Sequence, residues 1–447
     1  MKFKSTYIIG IICVALLAYV YFFEIRGGAE RERERFEKNR ILRFDRNSVE
    51  KVVITRNDTA MVFVKQNNVW MVQEPVNYKG DDKNIEEFLD IIAFAGKETS
   101  VSDDSTKYES FGLKAGAVKV SVFLTEGSEF MLTVGQLNPV GSSVYAKNAV
   151  DPQVYLTSSL VKTAAEQPLI YFRNRIVIEI KKEDIDKLVF HQKGKEYIVE
   201  KQENKWKLVK PIQNKADDSF MEKITTLIAN KEVKQFIEEN PTNLAQYGLQ
   251  KPENWVEFIN SVQNVKKTIY IGNYAKPYFY GKNDSKTQVF LLDSAFVTVI
   301  KPELFDLRDK QIVSFDLESI DVLKIAYPKS SYTFEKNDSI GLWEVVNPVK
   351  GFANSVKMVD IMKELLYSRA VKFIEPISTD LKKYGLEPPD ADFTLLSKGK
   401  EIARLQLGKL FENNRYLYNK KDNVLYLVRP GIYENIVLPQ DKLISKE

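Results

Sequence analysis

One spacing constrains this chain more than any other feature. Trp70, Trp206 and Trp343 stand 136 and 137 residues apart, and each carries the same neighbours with it. Each precedes a proline by five residues (Pro75, Pro211, Pro348) and a glycine by 42 (Gly112, Gly248, Gly385). That glycine sits between an aromatic and a leucine: Phe111 and Leu113, Tyr247 and Leu249, Tyr384 and Leu386. A second glycine follows in "LTVGQL", "IYIGNY" and "LQLGKL". Aromatic pairs at strand ends close each unit: Tyr145 with Tyr155, Tyr280 with Phe290, Tyr418 with Tyr426. Self-similarity at a fixed period is the signature of one structural unit copied in tandem. The 447 residues therefore divide into modules at 41–175, 176–311 and 312–447, each long enough to bury its own core.

Within a module the pattern is local and physical. "VEKVVIT", "TAMVFVKQ" and "NVWMV" alternate apolar and polar residues, as half-buried strands do. Eleven residues after each tryptophan stands Asp81, Asp217 or Asn354, whose side-chain oxygen can cap a helix start. The predicted helices carry one apolar stripe: Ile85, Phe88, Leu89 and Ile92; Met221, Ile224 and Ile228; Met358, Ile361, Met362 and Leu365. In the glycine–leucine loop, glycine at positive φ can close a short helix while the leucine and aromatic drop back onto the core. Pro252 and Pro389, four residues on, keep that helix from resuming, and the first copy has Gly116 there. Four more strands follow. The expected class is α+β: three tandem, mainly antiparallel modules, each with one main amphipathic helix.

Ahead of the modules, residues 5–23 form a nineteen-residue run without charge, the length of a transmembrane helix. Lys2 and Lys4 precede it, and Tyr19, Tyr21, Phe22 and Phe23 crowd its far end. A cleaved signal peptide is the alternative, but Glu24 and Arg26 intrude at the cut and the run is long for a signal core. Ile12 sits where a lipoprotein signal needs a small residue before Cys13. The expectation is an anchor over 1–23 and a charged helical stalk over 24–40. Lysine and arginine counts on the two flanks leave the side of the membrane undecided.

Composition removes some functional classes. Sixty-five basic residues face sixty-one acidic ones, for a net charge of +4, and no basic stripe interleaves with aromatics, so no nucleic-acid partner is expected. Cys13 is the single cysteine, which rules out an intramolecular disulfide and a thiolate metal cluster. A cysteine-free soluble portion suits an oxidising compartment and is permitted in a reducing one.

Repetition also tests for chemistry. A residue present in all three copies either builds the module or serves three equivalent sites. The recurrent set is tryptophan, proline, a helix cap, two glycines, leucine and aromatics, each with a packing or backbone reason to be there. No acid, base or nucleophile recurs, so no catalytic, cofactor-binding or metal-binding residue is expected, and no enzyme. His191, the one histidine, lies beside a hairpin turn where the other copies hold Thr55 and Ala326. "SDDS" (102–105) and "ADDS" (216–219) lack the alternation of a calcium loop and read as helix starts.

The tryptophan–proline strand exit, the loop "YGLQKP" or "YGLEPP" and the later glycine strand resemble a bacterial family known as domain of unknown function 4340. The resemblance covers nearly all of 41–447 and is clearest in the second and third copies; in the first, Phe111 and Gly116 replace tyrosine and proline. Members look like anchored envelope proteins encoded with gliding-type ABC transporter components. The resemblance thus implies an inner-membrane protein with an extracytoplasmic, periplasmic body and a membrane-complex partner. The leading expectation is a non-catalytic scaffold or accessory subunit of such a complex. A glycan- or lipid-binding module would instead need Trp70, Trp206 and Trp343 to line one exposed groove. A hydrolase would need two carboxylates in one deep pocket.

Overall fold

The computed structural model of the chain describes residues 3–21, 27–337 and 339–445. Three nine-stranded antiparallel sheets make up its body. In the first, chain order runs β1 (Val49–Arg56), β2 (Thr59–Gln66), β3 (Val69–Glu74), β4 (Tyr78–Lys79), β5 (Thr99–Ser102), β6 (Val118–Leu124), β7 (Glu129–Leu137), β8 (Ser143–Asn148) and β9 (Val154–Ser158). Spatial order is β4-β3-β2-β1-β6-β7-β8-β9-β5. The second sheet, within 187–293, and the third, within 322–428, repeat that order strand for strand.

Local chemistry explains the path. Asn57 (φ 49°) and the pair Asn67–Asn68 (φ 50° and 63°) turn the first two hairpins, in a conformation that asparagine tolerates better than most residues. After β4 the chain enters the helix Asp82–Ala93, which carries it to the opposite edge as β5. It returns through the glycine–leucine loop to β6, which pairs with β1 in the middle of the sheet. The register there sets Val52 against Val122 and Ile54 against Val120, four fully buried side chains.

The helices Asp82–Ala93, Asp218–Ala229 and Ser355–Tyr367 begin at Asp81, Asp217 and Asn354, whose side chains accept the backbone N–H of Asn84, Phe220 and Lys357. Every residue of the three expected apolar stripes is buried. Each module has a separate core: Trp70, Phe88 and Phe172 belong to the first, Phe190, Phe258 and Phe290 to the second, Phe334, Phe393 and Leu365 to the third. In the third, Tyr384, Leu386, Tyr416, Leu425 and Leu427 form a further cluster.

Two expectations are corrected. Strands take 42% of the chain and helices 25%, so the class is mainly β rather than α+β. Seven of the nine strands in each sheet are those expected from alternation, and together they far outweigh the module's one main helix. Each sheet gains two short strands, such as β4 and β5, that are too brief to show alternation in a sequence.

The second correction removes the membrane-spanning helix. The N-terminal helix is Phe3–Tyr19, seventeen residues, after which Val20 and Tyr21 leave α geometry. At 1.5 Å per residue it reaches about 26 Å, short of a hydrocarbon core of about 30 Å. No helix among the described residues is long and apolar enough to cross a membrane, which overturns the single-pass inner-membrane placement. Lys2, Phe22, Phe23, Glu24 and Arg26 lie outside the described residues. The helix Gly27–Lys38 covers most of the expected stalk.

Candidate functional site

The recurrent residues converge on two places in every module. Trp70, Trp206 and Trp343 are 1%, 8% and 3% exposed, which leaves no free ring face for a sugar or lipid to stack on. The Trp70 indole N–H also donates to Glu86 at 2.6 Å. Pro75, Pro211 and Pro348 each follow a cis peptide bond at the end of the tryptophan strand.

The second place is the glycine–leucine loop. Gly112, Gly248 and Gly385 have φ of 68°, 68° and 71°, the left-handed conformation that favours glycine. Leu113, Leu249 and Leu386 are buried. The aromatic before each glycine packs on a tyrosine of the sheet: Phe111 on Tyr145 (4.7 Å between ring centroids), Tyr247 on Tyr280 (4.9 Å), Tyr384 on Tyr416 (5.0 Å). The partner in the third copy is Tyr416, not Tyr418, because strand register pairs Tyr145, Tyr280 and Tyr416 with Leu156, Leu291 and Leu427. Two tyrosines at i and i+2 share a face, so alternation alone could not choose between them.

The second glycines, Gly135, Gly272 and Gly408, lie where register shifts beside a bulge, between Val134 and Leu137, Ile271 and Tyr274, Leu407 and Leu410. A methyl group there would collide with the backbone oxygen of Phe111, Tyr247 or Tyr384. The two glycines of a copy therefore interlock loop and sheet, backbone against backbone. Pro252 and Pro389 lead from this lock towards the next strand, and Leu386 and Pro389 form an isolated bridge.

Other recurrent residues escaped the sequence reading. Asn148, Asn283 and Asn419 each donate a side-chain N–H to the carbonyl that opens its own module: Ile41 at 3.2 Å, Val177 at 2.5 Å, Ile312 at 3.0 Å. Their spacing of 135 and 136 residues was the available signal.

More informative are residues that occur twice rather than three times, because a chain of three modules has two junctions. Arg173, 4% exposed, ends the first module. It makes a two-bond ion pair with Glu239 of the second (2.7 and 3.0 Å) and lies over the Phe236 ring at 3.6 Å. Arg308, also 4% exposed, repeats this on Glu375 (2.9 and 3.2 Å) and Phe373 (3.6 Å). Planar, bidentate recognition of this kind is what arginine offers and lysine does not. The first module holds Ser100 in the phenylalanine position, by its register with Tyr155, and the third holds Ile444 in the arginine position, by its bridge to Ala353.

The first junction is further filled by Tyr78, whose ring meets Phe236 edge-on at 5.4 Å. Burial pushes its phenol well above the usual tyrosine range, against the pull of Arg173. Beside it, burial pushes the Lys286 ammonium down to about 8, with Glu179 opposing and Lys79 and Arg173 adding to it. Lys286 donates to the Ile176 carbonyl at 2.9 Å. At the second junction, burial opposes ionisation of Asp217. The Lys310 ammonium at 2.8 Å and the Phe220 N–H nevertheless hold it below the usual carboxylate range.

His191 is not a plain surface residue. It stacks on Trp255 at 4.2 Å with 13° between the rings, and its two nitrogens face Glu196 (3.6 Å) and Glu257 (3.9 Å). Those carboxylates pair in turn with Lys210 and Lys266.

Two overlapping stretches, 70–231 and 206–374, match the family model described as Domain of unknown function (DUF4340). Each match begins on a recurrent tryptophan and runs across one junction to just beyond the main helix of the next module, the second reaching past the short strand Ala370–Phe373. No curated protein matches the chain.

Proposed function

The chain belongs to the DUF4340 family, and from that premise we propose that it works as a non-catalytic scaffold, an accessory subunit that holds three similar modules at set spacing for a protein partner. The observation that carries this reading is the division of labour among its residues. What recurs three times builds a module, what recurs twice clasps a junction, and neither set contains an acid–base or nucleophilic constellation. Copy-specific residues are then free to present different surfaces along one array, as repeat proteins do. A transport-type complex, of the kind the family resemblance implies, is a partner such an array would suit.

Crosslinking mass spectrometry on the full chain in its native cells tests the proposal. Contacts from more than one module to the same protein assembly, weakened when Arg173→Met and Arg308→Met cut both clasps, are the expected result. Crosslinks confined within the chain, or turnover of a substrate that depends on a carboxylate pair, would overturn it.

A further inference from the structure

The third module carries five cations at positions where the other two hold none. A cleft of about 870 Å³ opens between its main helix, Ser355–Tyr367, and the segment that follows its last long strand. Lys357, Lys363, Arg369, Arg429 and Lys442 line it, against Asp360, Glu364 and Glu434. Helix caps, strand register and the isolated bridges identify the counterparts of the five cations. They are Asn84, Asp90, Gly96, Ser158 and Tyr171 in the first module, and Phe220, Thr226, Glu232, Asp293 and Asp306 in the second. None of the ten is a cation and four are acids. Because the same fold stands twice without them, these cations are not needed to build it.

Their arrangement inside the cleft points outward. Glu364, with a side chain 15% exposed, accepts from Arg429 (2.6 Å), Asn435 (3.1 Å) and Ser368 (3.2 Å), which fixes the guanidinium at the cleft wall. Lys357 pairs with Asp360 at 3.0 Å. Lys363 and Lys442 are exposed and make no ion pair among the described residues. Between them lie apolar surfaces on Tyr367 (71% exposed), Val371 (48% exposed) and Leu438.

We propose that this cleft docks an acidic peptide segment of the scaffold's partner, with carboxylates on Lys363 and Lys442 and an apolar residue against Val371 and Leu438. The inference rests on the scaffold reading and gives it a recognition surface. A peptide fits better than a nucleic acid because Asp360, Glu364 and Glu434 would repel a continuous phosphate chain, whereas a peptide places its charges singly.

A phage-displayed library of random peptides, selected on the full chain and counter-selected on a Lys363→Glu/Lys442→Glu variant, tests this. Both side chains are exposed, so the variant should fold, and hydrogen exchange of its third module verifies that. Survivors are expected to be rich in Asp and Glu around one or two apolar residues. A synthetic survivor should bind the native chain at least about tenfold tighter than the variant in fluorescence anisotropy, less so as salt is raised. Absence of acidic enrichment, or equal binding to both chains, overturns the proposal. So does a single-stranded DNA oligonucleotide that binds as tightly as the peptide and loses as much in the variant. Failure here leaves multi-module crosslinking to one assembly untouched, so the two readings fail separately.

Discussion

Replacing Gly272 with alanine tests whether the thrice-written loop is a structural lock. The added Cβ would overlap the Tyr247 carbonyl oxygen and sit 2.9 Å from the Leu249 Cγ. Two responses are open to the module. If the loop stays docked, backbone must shift by about an ångström, and overpacking of that kind costs about 1–3 kcal/mol. If the loop undocks, Leu249, now 5% exposed, loses about 2 kcal/mol of burial. The Tyr247–Tyr280 pair at 4.9 Å loses about 1 kcal/mol more. The cheaper route sets the cost, so about 1–3 kcal/mol is expected, which makes local opening some 5- to 150-fold more frequent, as each 1.4 kcal/mol is a factor of about ten. Hydrogen exchange followed by mass spectrometry is the assay of choice, because three cores make a single unfolding transition a poor assumption. Amides of 245–249 and 272–274 should exchange faster in the variant, while the first and third modules stay as they were. Gly431→Ala is the control, since Gly431 has φ −62° and open space around it. If the two variants protect the loop equally, the interlock is refuted, and with it the view that the recurrent glycines serve the fold.

The remaining expectations follow the same logic. Arg173→Met keeps an apolar side chain over Phe236 but strands Glu239, 31% exposed, and should cost about 1–3 kcal/mol, below the range for a fully buried pair. Arg308→Met should cost less because Glu375 is 51% exposed, and hydrogen exchange at the two junctions that ranks them the other way would contradict the clasp. Lys286 releases its proton near pH 8 in the native chain against 10.5 for an ordinary lysine, so the unfolded chain binds more protons in that window. Stability relative to Lys286→Met should therefore rise from pH 8 to 10.5, by about 1–2 kcal/mol after allowance for partial exposure; a flat or falling difference would show that the ammonium is not desolvated. Trp343→Ala should cost about 3–5 kcal/mol, read as lost protection in the third module. Trp255→Ala, on a half-buried outer-face residue, should cost clearly less in the second.

Much of the fold could be read before any coordinates. Fixed intervals between tryptophan, proline and glycine carried the triplication, because a copied unit needs its special backbone positions and core anchors at the same places. Helix stripes and caps were equally plain, since the 3.6-residue period and an Asp or Asn before it are local properties. The tertiary structure decided what depends on partners distant in the chain. The edge strands became visible only through their ladders, the third tyrosine only through register, and the N-terminal helix only through where its α geometry ends. The clasps of Arg173 and Arg308 join groups 66 and 67 residues away across a junction, where no periodicity within a module could reveal them. The cationic cleft gathers residues from 357 to 442 that no single segment displays. Local free energies are written in neighbouring residues, whereas an ion pair or a cleft exists only once packing has brought distant side chains together.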